Sequence, residues 1–458
     1  MSYPIDSAFA TSRPEGCHSR QRHPQPGSTK AVGPSRALNP GSIAIHGSSR
    51  PEGRSQRKHS GTSRLDVVVA EKPHCHPVKC TQLDSVKSLP LTALLCCLAA
   101  SLPAAESLHP TLPLGASAPD FQLPGVDGQT WSLASFKDSP ILAVVFTCNH
   151  CPTAQAYEER LKSLTADYRA RGVAVVAINP NSPEAVRLDE LGYTDLDDTL
   201  ESMKLRATER SFNFPYLDDG PGQVAARAYG PAATPHLFVF DQERKLRYQG
   251  RIDDAERGDL VKRREARLVL DALLADQAPP SPQTKVFGCS TKWNDKSDGN
   301  RKWLAKIQAE PVDVVSADGP ALADLRTNTA NRVRLIHAWA TWCGPCVTEF
   351  DDVLETNLRF RHRDFEMVTV AAQFPDEKEK VLAFLKKQHA STRNLLFGET
   401  DKYKMIDALD PEWNGALPHT LLVGPGGKVL YRHTGPVDLL ELRRKIVPAL
   451  DAITPWGG

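Results

Sequence analysis

The chain has 458 residues, a formal net charge of +1, 7% aromatic residues and ten cysteines. This length accommodates two or three domains with sizeable cores. The charge is balanced, and no basic stripe is interleaved with aromatic residues. The sequence therefore gives no electrostatic support for a nucleic-acid partner.

The N-terminal part of the chain predicts no folded domain. Residues 1–77 are rich in Ser, Gly, Pro, Arg and His without apolar periodicity, so we expect disorder or a misassigned start there. Residues 78–105 hold Lys79 and Lys87, then an apolar run ending in Leu-Pro-Ala-Ala. This pattern is typical of a signal peptide, and its core of about fifteen residues is short for a membrane span. We therefore expect an exported, periplasmic protein, with an uncleaved membrane anchor as the alternative.

The first globular unit is predicted at residues 114–293, where apolar patterns typical of strands and helices alternate. Strands are predicted at 142–147, 173–179, 237–240 and 245–250, and helical segments at 152–170, 183–211, 223–229 and 261–276. Alternation of this kind predicts an α/β layer fold with a mixed sheet.

A polar stretch at 294–310 reads as a linker, and a second unit at 311–452 repeats the same order of elements. Strands are predicted at 333–338, 365–371, 419–423 and 428–433, and helices after Cys346, at 376–388 and at 439–450. Two copies about two hundred residues apart indicate a tandem of domains and not a repeat array.

Each unit carries one Cys-x-x-Cys pair between its first long strand and the following helix. The pairs are Cys148 with Cys151 and Cys343 with Cys346. A cysteine at a helix N-terminus has its thiolate favoured by free backbone N–H groups and by the helix dipole. The second cysteine then lies on the same turn and can resolve a mixed disulfide. We therefore expect Cys148 and Cys343 to be nucleophiles, and Cys151 and Cys346 to be resolving thiols.

Both regions resemble known families. The stretch from Trp339 to Cys346 resembles the thioredoxin active site, and residues 312–452 resemble periplasmic thioredoxins related to those of cytochrome c maturation. Residues 114–293, with Cys-Asn-His-Cys-Pro, Thr234-Pro235 and a closing Gly-Cys-Ser, resemble peroxiredoxin-like redoxins. These resemblances imply two thioredoxin-like α/β/α domains in tandem. They also imply that Pro418, and likewise Pro235, lies beside its dithiol and binds a client strand.

Four further residues are weaker candidates. Trp342 would offer clients an apolar surface beside the dithiol. His337 stands where thioredoxins usually have an aspartate, so it either moves a proton or is a structural histidine. His150 resembles the histidine of oxidising enzymes, which stabilises the thiolate and makes the disulfide easier to reduce. Cys289 is either a third, resolving thiol or an unpaired cysteine.

The sequence therefore predicts an exported thiol–disulfide oxidoreductase with two dithiols. Its expected partners are disulfide-bearing client proteins and an upstream thiol reductant, with transient membrane association through the N-terminal apolar segment left open. The alternatives are a first-domain peroxidase, built on Cys151-Pro152-Thr153 with Arg251 and reduced by the second domain, and a non-enzymatic scaffold with structural disulfides. No cofactor is expected, and no metal, because the two pairs lie in separate domain patterns.

Overall fold

The computed structural model describes residues 108–456. The predicted disordered start and signal peptide lie outside this range. Within it, no helix combines the length and apolar character that crossing a bilayer requires.

The first domain contains nine strands and four α-helices in the described residues. The strands are β1 Gln122–Pro124, β2 Thr130–Ser132, β3 Ile141–Phe146, β4 Val173–Asn179, β5 Tyr216–Asp218, β6 Ala233–Thr234, β7 His236–Phe240, β8 Leu246–Gly250 and β9 Cys289–Ser290. The helices are α1 Pro152–Arg169, α2 Leu200–Glu209, α3 Val224–Tyr229 and α4 Glu265–Leu274.

The second domain contains six strands, and five α-helices follow α5 in the described residues. Helix α5 Ser297–Gln308 occupies the predicted linker, which is thus helical. The strands are β10 Val315–Ala317, β11 Val333–Trp339, β12 Phe365–Ala371, β13 Arg393–Phe397, β14 His419–Val423 and β15 Val429–Thr434. The helices are α6 Gly319–Thr327, α7 Gly344–Phe360, α8 Lys378–Lys387, α9 Lys402–Leu409 and α10 Leu439–Asp451.

Both main sheets are mixed and follow the same plan. Their orders are β5-β4-β3-β7-β8 and β10-β13-β12-β11-β14-β15. In each, the strand before the dithiol pairs in parallel with the next long strand and antiparallel with the strand that begins after the candidate proline. The dithiol and the proline are therefore brought to the same end of each sheet.

Helices cover both faces of each central strand. All residues of β3 are buried; Ala143 and Val145 join one apolar cluster, whereas Leu142 and Val144 join another. This alternation is what a strand buried on both faces requires, because successive side chains point to opposite sides of the sheet. The predicted fold class, two thioredoxin-like three-layer domains in tandem, is confirmed.

The two domains contact each other at the C-terminal end of α7. Arg363 donates to the carbonyl of Gly192 at 3.0 Å, and the buried Arg359 donates to the carbonyl of Thr194 at 3.4 Å. Burial lowers the pKa of Arg359 to about 10. Arg444 of α10 adds an ion pair with Asp195 at 3.1 Å. The segment after Gly192 is thus a main contact of the first domain with the second.

We expect Gly192→Ala to destabilise the chain. A Cβ atom there would lie 2.3 Å from Cε1 of His362 and 2.7 Å from the carbonyl oxygen of Arg359, too close for any real contact. Forced overpacking of this kind costs about 1–3 kcal/mol. Urea unfolding should show that loss, while Gly258→Ala, whose Cβ would meet only open space, should change stability by less than about 0.5 kcal/mol. Equal stability of the two variants would contradict the described contact.

Candidate redox sites

The second-domain dithiol begins helix α7. Cys343 is the N-cap residue, and its sulfur accepts a hydrogen bond from the backbone N–H of Cys346 at 3.3 Å. Pro345 fits this first turn because its missing N–H would have no partner there. The two cysteines form a disulfide, in which Cys346 is fully buried and Cys343 retains slight exposure. The structure thus places Cys343 where the helix end stabilises a thiolate.

Two of the predicted client-binding residues surround this pair. Trp342 is 64% exposed immediately before Cys343. Pro418 follows a cis peptide bond and leads into β14, which pairs with β11 and so reaches the sheet end that carries the dithiol. Trp339, in contrast, is fully buried against Phe350. Of the two tryptophans, only Trp342 is exposed beside the dithiol.

His337 lies beneath α7, but its titration is shifted away from neutrality. Its Nδ1 is 3.1 Å from the hydroxyl of Thr420, and its Nε2 is 3.8 Å from a carboxylate oxygen of Glu349. Burial, with a smaller contribution from His419, lowers the pKa of His337 to about 4. The imidazole is therefore neutral at working pH, and His337 is too weak a base to be the favoured proton acceptor.

Glu349 is the better placed proton acceptor, and sequence reasoning missed it. It lies one turn after Cys346 on the same face of α7. Burial raises the pKa of Glu349 above its ordinary value. One carboxylate oxygen accepts the backbone N–H of Val437 at 2.9 Å, while the other has no hydrogen-bond partner among the described residues. A raised pKa and a free oxygen suit a group that accepts a proton from a neighbouring thiol.

In the first domain the helix begins after the second cysteine of the pair, whereas in the second domain it begins after the first. We call this the opposite register of the two dithiols. Helix α1 begins at Pro152, so the second cysteine, Cys151, is the N-cap residue and accepts the backbone N–H of Ala154 at 3.4 Å. Cys148 lies one turn earlier, outside the helix. The helix-end argument therefore applies to Cys151, contrary to the prediction that Cys148 holds the thiolate.

Electrostatics favour the same assignment. Burial, with the adjacent Cys151 sulfur, raises the pKa of Cys148 well above its usual value. Burial by itself also raises the pKa of Cys151, but hydrogen bonds from the Cys148 and Cys289 thiols outweigh it. Together with the charge of His150 they hold that pKa well below its usual value. These opposite directions favour Cys151 over Cys148 as the site of the thiolate in this three-cysteine cluster.

The structure brings the predicted residues Pro235 and Cys289 to this cluster. Pro235 follows a cis peptide bond from Thr234. When protonated, the Cys151 thiol donates to the carbonyl of Thr234 at 3.2 Å, and the hydroxyl of Thr234 is 3.3 Å from the Cys148 sulfur. Cys289 donates its backbone N–H to the Cys151 sulfur at 3.4 Å. Cys148 and Cys151 are buried and Cys289 is half-buried.

His150 is held by an acidic residue that the sequence did not single out. Its Nδ1 is 2.5 Å from Oδ2 of Asp198, and both side chains are buried. Burial opposes the charged imidazole, but Asp198 outweighs it and the pKa of His150 is raised. Asp198 also accepts the backbone N–H groups of Asn149 and His150, at 2.9 and 3.0 Å. It therefore fixes the loop between the two cysteines.

Two other expectations meet this geometry. Arg251, the arginine of the peroxidase alternative, donates to Glu265 at 2.6 Å and has no described contact with a cysteine.

Ligand-type atoms of Cys148, His150 and Asp198 lie within 4.8 Å of one another. The carboxylate already accepts four hydrogen bonds, including one from Asn181. The arrangement is accounted for as a hydrogen-bond network without a metal ion.

We expect Asp198→Asn to weaken the Cys151 thiolate. Without the carboxylate the pKa of His150 falls, so less of the positive charge that stabilises the thiolate remains. Reactivity of Cys151 toward methyl methanethiosulfonate should then drop about tenfold for each unit by which its pKa rises above the assay pH. Asp197→Asn is the matched control, because that carboxylate accepts from Thr199 instead. Equal reactivity of the two variants would argue against the role of Asp198.

The second dithiol lies at the end of α7 that is remote from the interdomain contacts. The interdomain contacts lie at the C-terminal end of α7, and Cys343 lies at its N-terminal end. Seventeen helical residues span about 25 Å at a rise of ~1.5 Å per residue. Cys343 therefore lies about one helix length from the interdomain contacts.

Comparisons with known proteins agree with this architecture. The model of the AhpC/TSA family matches residues 114–249, and the Redoxin model matches residues 308–444. The chain is a tandem of an AhpC/TSA domain and a redoxin domain. The predicted resemblance to a peroxiredoxin-like domain followed by a thioredoxin-type domain is confirmed.

Similar individual proteins cover one domain each. The thiol:disulfide interchange protein CycY of Rhizobium leguminosarum bv. viciae is 27% identical over 150 residues, 31% of this chain and 70% of that protein. The DsbE homolog of Paracoccus denitrificans is 26% identical over 150 residues, 32% of this chain and 76% of that protein. The crystal structure of a hypothetical protein from Sinorhizobium meliloti is 38% identical and covers 40% of this chain and 96% of that one, with a TM-score of 0.36.

Proposed function

We propose that this redoxin tandem is an exported thiol–disulfide oxidoreductase whose second domain exchanges disulfides with protein clients through Cys343 and Cys346. One observation carries the proposal: Cys343 caps α7, is bonded to Cys346, and has the exposed Trp342 beside it. The thiol:disulfide interchange proteins among the relatives support the same oxidoreductase class. A structural disulfide in a scaffold would need no helix-capping thiol and no exposed tryptophan at its rim.

The reaction proceeds by two thiol–disulfide exchanges. The reduced Cys343 thiolate attacks one sulfur of a client disulfide, and the other client sulfur leaves with the electron pair. Cys346, having lost its proton, then attacks Cys343 and releases the second client sulfur. The client gains two electrons, and the dithiol becomes the disulfide that the structure contains. An upstream thiol reductant restores the dithiol.

Glu349 is the group that takes the proton from Cys346. It stands on the same face of α7 and carries a carboxylate whose pKa is raised by burial. The neutral imidazole of His337 faces it at 3.8 Å and assists by accepting or relaying a hydrogen bond. His337 is thus a positioning residue in this proposal, and Glu349 is the base.

Cys151 is the nucleophile of the first domain, where Cys148 and Cys289 are the available resolving thiols. Its position at the N-terminus of α1, in a buried site, also favours a second function, reduction of a small hydroperoxide. The thiolate would attack the peroxide oxygen, giving a sulfenic acid and water or an alcohol; a second thiol would then form a disulfide and release water. Peroxide consumption with a thiol donor tests this, and activity that persists in Cys151→Ser would exclude it.

Covalent trapping tests the main proposal. With Cys346→Ser, the mixed disulfide between Cys343 and a client cannot be resolved, so a reduced preparation should capture proteins with scrambled disulfides. Cys343→Ser, which retains Cys346 and the three first-domain cysteines, should capture none through the second domain. Mass spectrometry of the linked peptides identifies the cysteine. Linkage through neither Cys343 nor Cys346 would overturn the proposal.

Export remains part of the proposal and rests on the apolar segment that ends near residue 105. Mass spectrometry of the protein recovered from its native cells should find an N-terminus close to that position. Recovery of peptides from residues 1–70 would contradict both the cleaved signal peptide and the downstream start.

A further inference from the structure

The short strand β9 occupies a particular edge of the first redox site. It pairs antiparallel with β6, so that Cys289 lies opposite Thr234 and Ser290 opposite Ala233. Thr234 directly precedes Pro235 and contacts the sulfurs of the dithiol. A segment about 140 residues downstream of the dithiol therefore lies across its rim as an added strand.

The close approach of this segment depends on Gly288. Its φ is +136°, a conformation that side chains other than glycine rarely adopt, and a Cβ atom there would lie 2.1 Å from the carbonyl oxygen of Thr234. The next residue, Cys289, is thereby held with its backbone N–H 3.4 Å from the Cys151 sulfur. Its thiol also donates to that sulfur, which raises the pKa of Cys289 and lowers that of Cys151.

The equivalent edge of the second domain carries no such strand. Leu417 precedes Pro418 as Thr234 precedes Pro235, yet among residues 108–456 it belongs to no strand pair. Leu417 is half-buried. Ala416 is exposed, and its backbone carbonyl and N–H are hydrogen-bonded to the side chains of Trp413 and Asn414 and to no strand. An unpaired edge of this kind is where an extended peptide can add its backbone hydrogen bonds. The two copies of the site thus differ in whether that edge is filled.

We infer that residues 288–291 are a built-in client strand, which presents Cys289 to Cys151 as its intramolecular disulfide partner and closes the first site to external protein strands. This inference rests on the proposed function in one respect, that Cys151 is a redox nucleophile. It divides the work between the domains: protein clients enter at Cys343, while only small molecules reach Cys151 directly.

The same geometry allows the disulfide of the buried pair, Cys148 and Cys151, to be transferred to Cys289. When Cys148 and Cys151 are bonded, the Cys289 thiolate attacks the Cys151 sulfur, the bond to Cys148 breaks, and Cys148 leaves with the electron pair and takes up the proton that Cys289 released. No electrons are gained or lost overall. The disulfide moves from two buried cysteines to a pair that includes the half-buried Cys289, where a reductant can attack it.

Disulfide mapping tests the pairing. After diamide oxidation of the full chain, Cys148→Ser should yield a Cys151–Cys289 linked peptide, and Cys289→Ser should yield a Cys148–Cys151 linked peptide. Cys289 free in Cys148→Ser, while Cys289→Ser still forms its disulfide, would overturn the inference and leave the redox role of Cys151 intact. An unreactive Cys151 in both variants would instead overturn the first-domain part of the proposed function.

A second experiment tests the closed edge. In a Cys148→Ser, Cys289→Ser background, Cys151 should form a mixed disulfide with 2-hydroxyethyl disulfide but capture little of an unfolded protein with scrambled disulfides. Adding Gly288→Ala should displace the strand and increase that capture at least about tenfold, as ~1.4 kcal/mol corresponds to a factor of ten. Adding Gly258→Ala, the matched control, should leave it unchanged. If Cys151 captured the unfolded protein fully in the background that has neither glycine change, the inference would be overturned.

Discussion

Replacing Cys343 by Ser is expected to abolish reduction of protein disulfides by this chain. The loss should be at least about 1,000-fold, since removing the nucleophile leaves no covalent route. An insulin-reduction assay with dithiothreitol as donor measures it, after subtraction of the rate with the donor alone.

Cys151→Ser is the matched control for this assay. The first-domain dithiol is buried and its edge is covered by β9, whereas Cys343 adjoins the exposed Trp342. The control should therefore retain activity within about twofold. A large loss in Cys151→Ser, with activity preserved in Cys343→Ser, would show that protein clients react at the first domain and not at Cys343.

Glu349→Gln is expected to slow the release of clients from Cys343 by about 100-fold, the usual contribution of a positioned base. The base form of Glu349 is the active one, so the parental rate should rise as the pH passes through its raised pKa. The amide does not titrate, so the variant should lack that rise. Stopped-flow decay of a preformed mixed disulfide, recorded between pH 4 and 9, measures both effects.

Glu355→Gln is the control for position on the helix. Glu355 is also on α7 but pairs with Arg443 at 3.2 Å, away from the dithiol. It should leave the rate and its pH profile unchanged. A Glu349→Gln profile that still rises as in the parent would show that another group, such as His337, takes the proton.

Long, fully buried strands and periodic helices could be predicted from the sequence. Strands β4, β12 and β14 have the predicted bounds, because residues buried on both faces form unbroken apolar runs between turn residues. Strand β13 and helices α6 and α9 were missed. They are short, and tertiary packing in the second domain decides their structure more than local pattern does.

The identity of the cysteines was predictable, but their roles in the first domain were not. Both motifs follow a strand and precede a helix, yet α7 begins just after the first cysteine of its pair and α1 just after the second. Pro152, directly after Cys151, was the available signal, since proline favours the first turn of a helix. The same proline reasoning applied to Pro345 gives the observed start of α7.

Asp198 lies in an acidic run, residues 195–201, whose pattern is typical of the solvated start of a helix. The structure instead buries Asp198 beneath the first dithiol and pairs Asp195 with arginines of both domains. No local pattern distinguishes these aspartates from exposed ones, because their partners include residues that are 48 and 249 positions away in sequence. Long-range contacts of this kind are visible only in the folded chain.

The opposite registers of the two dithiols are the central claim, and thiolate absorbance at 240 nm tests it most directly. In the fully reduced chain carrying Cys343→Ser and Cys346→Ser, which removes the helix-capping thiol of the second domain, the pH titration should contain a step well below pH 9, the ordinary value for the Cys151 thiol. Cys151→Ser should remove that step, because it removes the helix-capping thiolate, and Cys148→Ser should retain it. Loss of the step in Cys148→Ser and its persistence in Cys151→Ser would show that both domains share one register.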